Sequence, residues 1–378
     1  MIYFDNAATS FPKPKIVKDS LKDIFYKYGG NPGRSGHKMA MNTSFMVYKC
    51  REKIADFFNA DNVENVVFTL NCTMAANMVI KGILSKGDHV IISSYEHNAN
   101  LRPIHKLKEK GLISYDVANV YEGDDEKTLQ SFQNLIKSNT KLVIAVHGSN
   151  VFGNILPIKG ISNIAHKNGA MFMVDAAQSA GVIPIDIQKM NIDFLCMPGH
   201  KSLYGLSGTG VLITKHGDKL STIIEGGTGS VSESFVQPNF MPDKLESGTG
   251  NSVGILGLYN GLKFITSKGI DNIYKHEMRI IQYIYINLHN NKNVKLYTQY
   301  PTLGSYLPVL SFNIDKKTCD DVVNILSKKG FATRGGLHCS PLAHKSKGTL
   351  DIGTVRISVG AFNNLTQAKK LCNVISNI

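Results

Sequence analysis

Residues 171–202 read MFMVDAAQSAGVIPIDIQKMNIDFLCMPGHKS and hold two short apolar runs that each end in polar residues. The first run closes on Asp175 and Gln178, the second on His200 and Lys201. Four or five apolar residues bounded by turn-forming residues mark a strand buried on both faces. The segment between the runs is long enough for a helical crossover and a return strand. Both polar ends are therefore expected on the same edge of one sheet.

A lysine at the end of one buried strand, facing a carboxylate at the end of its neighbour, suits pyridoxal phosphate (PLP). The amine forms a Schiff base, and the carboxylate keeps the pyridinium nitrogen protonated so that the ring withdraws electrons. Taken singly, Asp175 also reads as a helix cap and Lys201 as a surface residue. Their joint placement behind two apolar strands points to the cofactor.

Working outward, NVVFTL, DHVIISS, KLVIAVHG and GVLITK repeat the pattern of short apolar runs, and most are separated by helical periodicity. This is the signature of an α/β fold with a mostly parallel sheet, which places ligands at the carboxyl ends of its strands. From about residue 253 the character changes to two long helical stretches, followed by YLPVLSFNI, DDVVNILSKKG, VRISVGA and LTQAKKLCNVI. The expected division is a large domain over 14–252, with 1–13 and 253–378 forming a smaller α+β domain.

Composition narrows the function classes. The 378 residues are 43% hydrophobic, enough for a substantial core. Formal net charge is +13, but the 42 Lys and Arg are spread over helix surfaces. An anionic substrate or cofactor fits that spread better than nucleic acid. The six cysteines occur singly, without zinc spacing or disulfide density, which suits a reducing cytoplasm. The N-terminal stretch has no secretory pattern, and the richest apolar window is broken by Asp175, Gln178, Gly181 and Pro184. The reading is a soluble, cytoplasmic protein that does not enter a membrane.

A phosphate needs helix N–H groups and hydroxyls, and Cys72, Thr73 and Met74 open a helix after NVVFTL. An ordinary N-cap at Asn71 or Thr73 explains the same residues. His200 would add a second phosphate donor. His97 follows another strand end, where it is either structural or stacked over a planar ring. Asn150 follows a further one, either in a turn or bonded to a ring hydroxyl.

Seven motifs now stand in order: DNAATSFPKP, YEHNAN, HGSNVFG, VDAAQSAG, GHKSLYG-x-x-G-x-G, ESGTGN and RGGLHC. Together they resemble the PLP-dependent class V aminotransferase superfamily, and within it the cysteine desulfurase and selenocysteine lyase branch. The resemblance implies PLP fold-type I, a seven-stranded type of sheet, and a homodimer with active sites at the subunit interface. It also implies roles: Lys201 as Schiff-base lysine, Asp175 as pyridinium partner, Gln178 beside the ring hydroxyl and His97 as the stacking histidine. Thr73, Cys72 and His200 would cradle the phosphate, helped by Thr249 of the neighbouring subunit. Arg356, with Asn150 and Asn6, would bind the substrate, a role that suits the bidentate fork of arginine.

By the same resemblance Cys339 takes the substrate sulfur as a persulfide, which requires an accessible, partly ionised thiol. Arg334, His338 and Lys345 are close in sequence and expected to assist ionisation, while Cys50, Cys196, Cys319 and Cys372 read as packing residues. The short interval from Cys339 to Arg356 resembles desulfurases with a compact catalytic loop, which hand sulfur to an acceptor protein. Departures are Leu337 where relatives often have histidine, Pro198 in place of serine, Ser202 after the lysine, and Asn71-Cys72 in place of Gly-Thr. The leading expectation is L-cysteine desulfuration to L-alanine and an enzyme persulfide. The nearest alternative is a selenocysteine lyase acting on L-selenocysteine, then another class V aminotransferase or epimerase. A metal hydrolase built on His97, His147, His200 and Asp175 lacks H-x-H or H-E-x-x-H spacing, and a sulfur-carrier scaffold would keep the fold without the reaction.

Overall fold

The computed structural model describes residues 1–33 and 35–378. In chain order the first part contains β1 (Ile2–Tyr3), α1 (Lys15–Tyr26), α2 (Lys38–Phe58), β2 (Val66–Thr69), α3 (Cys72–Ile83), β3 (His89–Ser93) and α4 (Asn98–Glu109). Next come β4 (Ser114–Ala118), α5 (Asp125–Gln133), β5 (Thr140–Val146), α6 (Ile158–Lys167), β6 (Met171–Asp175), β7 (Phe194–Pro198) and β8 (Gly210–Ile213). The remainder comprises α7 (Ser252–Lys268), α8 (Ile270–His289), β9 (Val294–Leu296), β10 (Val309–Ile314), α9 (Cys319–Lys328) and β11 (Phe331–Ala332). It closes with β12 (Arg334–Gly336), α10 (Pro341–Ser346), β13 (Thr354–Ser358) and α11 (Leu365–Ile375).

Seven strands form one sheet in the order β2-β8-β7-β6-β5-β3-β4. The pairs from β4 across to β7 are parallel, whereas β8 runs antiparallel to both β7 and β2. Alternate residues along each strand enter different cores. Val143, Ala145, Phe172, Val174, Leu195 and Met197 pack on one face, and Leu142, Ile144, Met173, Phe194 and Cys196 on the other. Burial on both faces is why these strands read as unbroken apolar runs. Each large side chain buried this way contributes about 1.5–3 kcal/mol.

Two details differ from the sequence expectation. The link from β6 to β7 is a series of turns, with an Ala180–Ile183 bridge, rather than a helix. The strands are parallel nonetheless, with Asp175 paired opposite Cys196. The GVLITK run is the antiparallel β8, because only a short turn-rich loop joins it to β7 and a parallel return needs a longer crossover.

A second sheet, β12-β13-β10-β9, is antiparallel throughout. Its apolar face, including Leu310, Phe312, Val355 and Ile357, packs on Met278 and Ile281 of α8, Val322 of α9 and Leu371 of α11. The N-terminus joins this part of the molecule: β1 pairs in parallel with β11, and Phe4 enters the same core. Among the described residues no helix is long and apolar enough to cross a membrane.

Helix α7 lies flush on the turn that follows β7. A Cβ added to Gly261 would come within 2.1 Å of the Leu203 carbonyl oxygen, so only glycine allows this approach. Tyr204, in the same turn, adopts a left-handed φ of 57°. Its hydroxyl accepts from the Ala361 N–H at 3.2 Å and donates to Glu277 Oε1 of α8 at 3.4 Å. Glu277 is buried, its Oε2 has no partner among the described residues, and burial pushes its pKa up to about 8.

A carboxyl whose folded pKa lies above its unfolded value keeps its proton in the fold after the unfolded chain has released it. Glu277 therefore lowers stability progressively as pH rises from about 4.5 to about 8. Glu277→Gln should gain on the wild type by about 1 kcal/mol or more between pH 5.5 and pH 8, read from urea unfolding midpoints. A stability difference that is flat over this range would show that the carboxyl is already ionised in the fold.

Candidate active site

The pairing of β6 with β7 sets Asp175 and Lys201 on the same sheet edge, bordering a cavity of about 180 Å³. Asp175 is 3% exposed and held by neutral donors. Its Oδ1 accepts from the Ala177 N–H at 2.9 Å and from Cys72 Sγ at 3.6 Å, and its Oδ2 from Asn100 Nδ2 at 3.2 Å. Lys201 Nζ makes no hydrogen bond or ion pair among the described residues. Desolvation draws its pKa below the usual lysine value, against the pull of Asp175. A larger share of free amine is the chemical result.

Behind Asp175 lies a group that the motifs alone did not single out. Glu96 accepts from Ser93 Oγ at 2.6 Å, Asn100 Nδ2 at 2.6 Å and the Val146 N–H at 2.8 Å. Burial pushes its pKa up to about 7. Asn100 thus bridges two carboxyl groups and fixes the plane of the one that faces the cavity. The only sequence signal was the Glu96 to Asn100 spacing of one helical turn within YEHNAN.

The other end of the cavity is built for an anion. Asn71 caps α3 by accepting from the Met74 N–H at 2.8 Å, and Thr73 and His200 border the same space. His200 Nδ1 faces Thr9 Oγ1 at 3.1 Å, and burial lowers its pKa to about 4. The imidazole is therefore neutral at neutral pH. The N-terminal motif clamps this turn, because Ser10 Oγ donates to the Lys201 carbonyl at 2.8 Å and Lys13 Nζ donates to the His200 carbonyl at 2.6 Å. Burial also lowers the Lys13 pKa to about 8.

His97 is both the N-cap of α4, accepting the Ala99 N–H on Nδ1 at 3.0 Å, and part of the cavity wall. Gln178 borders the cavity and donates from Nε2 to the Ala7 carbonyl at 3.0 Å. The donor set fits PLP: an amine with no partner among the described residues, a carboxylate oriented by neutral donors, and a helix N-terminus with a hydroxyl and an imidazole bordering the same cavity.

Arg356 is 2% exposed. Its Nη1 donates to the Asn150 carbonyl at 2.9 Å and its Nη2 to Asp5 Oδ1 at 2.8 Å, while Nε has no partner among the described residues. Two expectations need correction here. Asn6 is not a cavity residue, since its amide bonds the Ser358 carbonyl and Asn363 Oδ1, both at 3.1 Å, and accepts from the Phe11 N–H. The N-terminal residue that meets the arginine is Asp5, one position earlier. Asn150 does border the cavity, but its amide is engaged by the Cys339 loop, with Nδ2 on the His338 carbonyl and Oδ1 on Ser340 Oγ, each at 2.7 Å. Thr249 lies apart, in a larger groove beside α2, where it accepts from Asn31 Nδ2 at 3.2 Å.

Cys339 is exposed and the other five cysteines are buried. Of its expected activators, His338 does not serve. It is 3% exposed, its Nε2 sits 3.1 Å from the Thr354 carbonyl, and burial beside Arg356 drives its pKa down to about 2. Lys345 is exposed on α10. Arg334 is half-buried on β12, opposite Arg356, and acts electrostatically on His97, Lys201 and His338. Among the described residues no cluster of three or more His, Cys, Asp or Glu is arranged to hold a metal ion.

Residues 2–371 match the aminotransferase class-V family, and the chain belongs to that family. It is 32% identical over its full length to a probable cysteine desulfurase of Methanothermobacter thermautotrophicus, covering 94% of that protein. It is 33% identical to a probable cysteine desulfurase of Pyrococcus abyssi, again over the whole chain and 94% of the relative. The apo cysteine desulfurase of Thermococcus onnurineus superimposes with a TM-score of 0.91 at 31% identity, covering all of this chain and 94% of that one. The family is PLP-dependent, in keeping with the donor set described above.

The contrast between one exposed and five buried thiols gives a direct test. A disulfide reagent such as dithionitrobenzoate should react with one thiol quickly in the native protein and with the other five only on denaturation. Cys339→Ser should abolish the fast phase. Two or more fast equivalents would contradict the burial described here.

Proposed function

We propose that this protein is an L-cysteine desulfurase that yields L-alanine and a persulfide on Cys339. The observation that carries this reading is the unpartnered Lys201 amine beside donor-oriented Asp175, in a cavity whose Asn150 wall bonds both neighbours of the exposed Cys339. When bound, PLP supplies a sink for the electron pair left on the substrate α-carbon.

The chain's own groups divide the remaining work. Lys201 Nζ would hold the cofactor and, as a free amine, would take the substrate α-proton, a task that its lowered pKa favours. With the cofactor bound, Asp175 would serve the ring nitrogen, Gln178 the ring hydroxyl, and His97 the face of the ring. Thr73, His200 and the Cys72 turn would hold the phosphate. Thr249 would serve the corresponding phosphate of a second copy in a homodimer. Arg356 receives the substrate carboxylate, with Nε available and Asp5 as the group that must share or release Nη2. Cys339 attacks the substrate sulfur as a thiolate. The sulfur–sulfur bond forms as the carbon–sulfur bond breaks, and the bonding pair stays with carbon. A sulfur-acceptor protein then takes the persulfide sulfur.

We further assign cofactor binding to a large domain over 14–252, with 1–13 and 253–378 as the smaller domain. Selenocysteine is the alternative substrate, because selenium leaves more readily and makes less demand on Cys339.

The purified protein should be yellow, and borohydride should bleach it and fix the cofactor on the peptide containing Lys201. Lys201→Ala should lose both properties. A colourless protein that gains no colour with added PLP would overturn the cofactor assignment.

Cys339→Ala should lower sulfide release from L-cysteine by about a hundredfold or more. Full activity of that variant on cysteine would remove the proposed role, and loss on cysteine with retention on selenocysteine would separate the two chemistries.

A further inference from the structure

Two successive non-glycine residues, His338 at φ 49° and Cys339 at φ 60°, occupy the left-handed region. Such a pair persists only where the surroundings over-determine it. The constraints are visible. Asn150 Nδ2 donates to the His338 carbonyl and Asn150 Oδ1 accepts from Ser340 Oγ, so one side chain bonds both neighbours of the cysteine. From the opposite side the Asn98 N–H, at the start of α4 and directly after His97, donates to the Cys339 carbonyl at 2.7 Å. The Ser340 N–H closes the turn onto the Leu337 carbonyl at 2.9 Å.

The base of this clamp is itself rigid. Asn150 follows β5, and its carbonyl is held by Arg356 Nη1 at 2.9 Å. Ser149 Oγ accepts the N–H groups of Val151 and Phe152 at 3.2 and 3.0 Å. The loop is therefore tied to two strand ends that also form the cavity wall, while Cys339 itself stays open to solvent.

We propose that Asn150 is the positioning residue of Cys339: by bonding both neighbours of the cysteine, its amide fixes the backbone that carries the thiol. The proposal rests on the reading of Cys339 as sulfur acceptor. Its physical basis is that a reacting atom displaced by about 1 Å loses on the order of a hundredfold in rate, so the entropy of loop ordering is best removed before substrate arrives. The amide performs that ordering with two hydrogen bonds and no charge, and leaves the thiol unobstructed.

The test uses the full-length, cofactor-loaded protein and its Asn150→Ala and Ser340→Ala variants. Cys339 alkylation by iodoacetamide is followed by mass spectrometry over a range of pH with no amino acid present, alongside kcat, KM and the absorbance of the bound cofactor. Asn150→Ala should raise the alkylation rate at least about threefold and lower kcat about tenfold or more, with KM for cysteine within about threefold and the absorbance unchanged. Ser340→Ala should show the same pattern at smaller size, and it decides the matter if Asn150→Ala does not fold. A fall in kcat with alkylation rate and pH profile unchanged, or a shift in cofactor absorbance, would show that the amide acts on the ligand and would overturn the proposal. Should the wild type form no persulfide from cysteine, the desulfurase reading fails, and the alkylation comparison still decides whether the clamp exists.

Discussion

Parallel pairing of β6 with β7 is the constraint on which the site depends. It brings a carboxylate and an amine to one buried edge where they form no ion pair: Asp175 accepts from three neutral donors, and Lys201 Nζ has no partner among the described residues. A contact ion pair would consume both groups. Held apart, each would remain available to a cofactor bound in the cavity they border. The other walls come from carboxyl ends of the same sheet: His97 after β3, Asn150 after β5, and α3 after β2. An open α/β sheet offers that edge as its natural binding place.

Around this pair, burial silences most other titratable groups. His147 and His200 are held neutral with pKa values of about 4, His338 with one of about 2, and Glu96 and Glu277 are pushed up to about 7 and 8. The charges that act on the cavity residues include Asp175, Lys201, Arg334 and Arg356, with Lys13 on His200 and Arg102 on His97. In a low-dielectric interior each of these is felt at longer range than it would be in water. The surrounding neutral groups contribute hydrogen bonds of fixed direction instead. This division explains how a chain with a large excess of positive charge keeps a site whose balance is set locally.

The parts of the fold legible in the sequence are those in which one physical signal dominates. Six of the seven strands of the large sheet were apolar on both faces and stood out, whereas Ser114–Ala118 is a half-exposed edge strand whose Ser, Tyr and Asp hide it. Asp175, Lys201, Thr73 and His200 stand out in the sequence because each ends or follows a strand or opens a helix, and all four border one cavity. Asp5, Glu96, Asn100 and Lys13 were not singled out, because their importance comes from partners far away in the chain. Asn6 shows the same limit from the other side. Its type and position suited a substrate contact, but only the folded chain reveals that its amide is already spent on Ser358 and Asn363. Asn150 was recognised as a cavity residue, while its hold on the cysteine loop depends on a segment about half the chain length away.

The bond between Asp5 and Arg356 joins positions 351 residues apart, and β1 completes its two-stranded sheet only with Phe331–Ala332. During synthesis the first residues to emerge must wait for nearly the last. The large sheet has all its strands once Ile213 is out, but Arg356 and the Cys339 loop arrive more than a hundred residues later. A nascent chain can thus build a cofactor pocket well before it owns a nucleophile. Topology of this kind orders the appearance of the chemistry in time and leaves the sulfur-reactive group for the end.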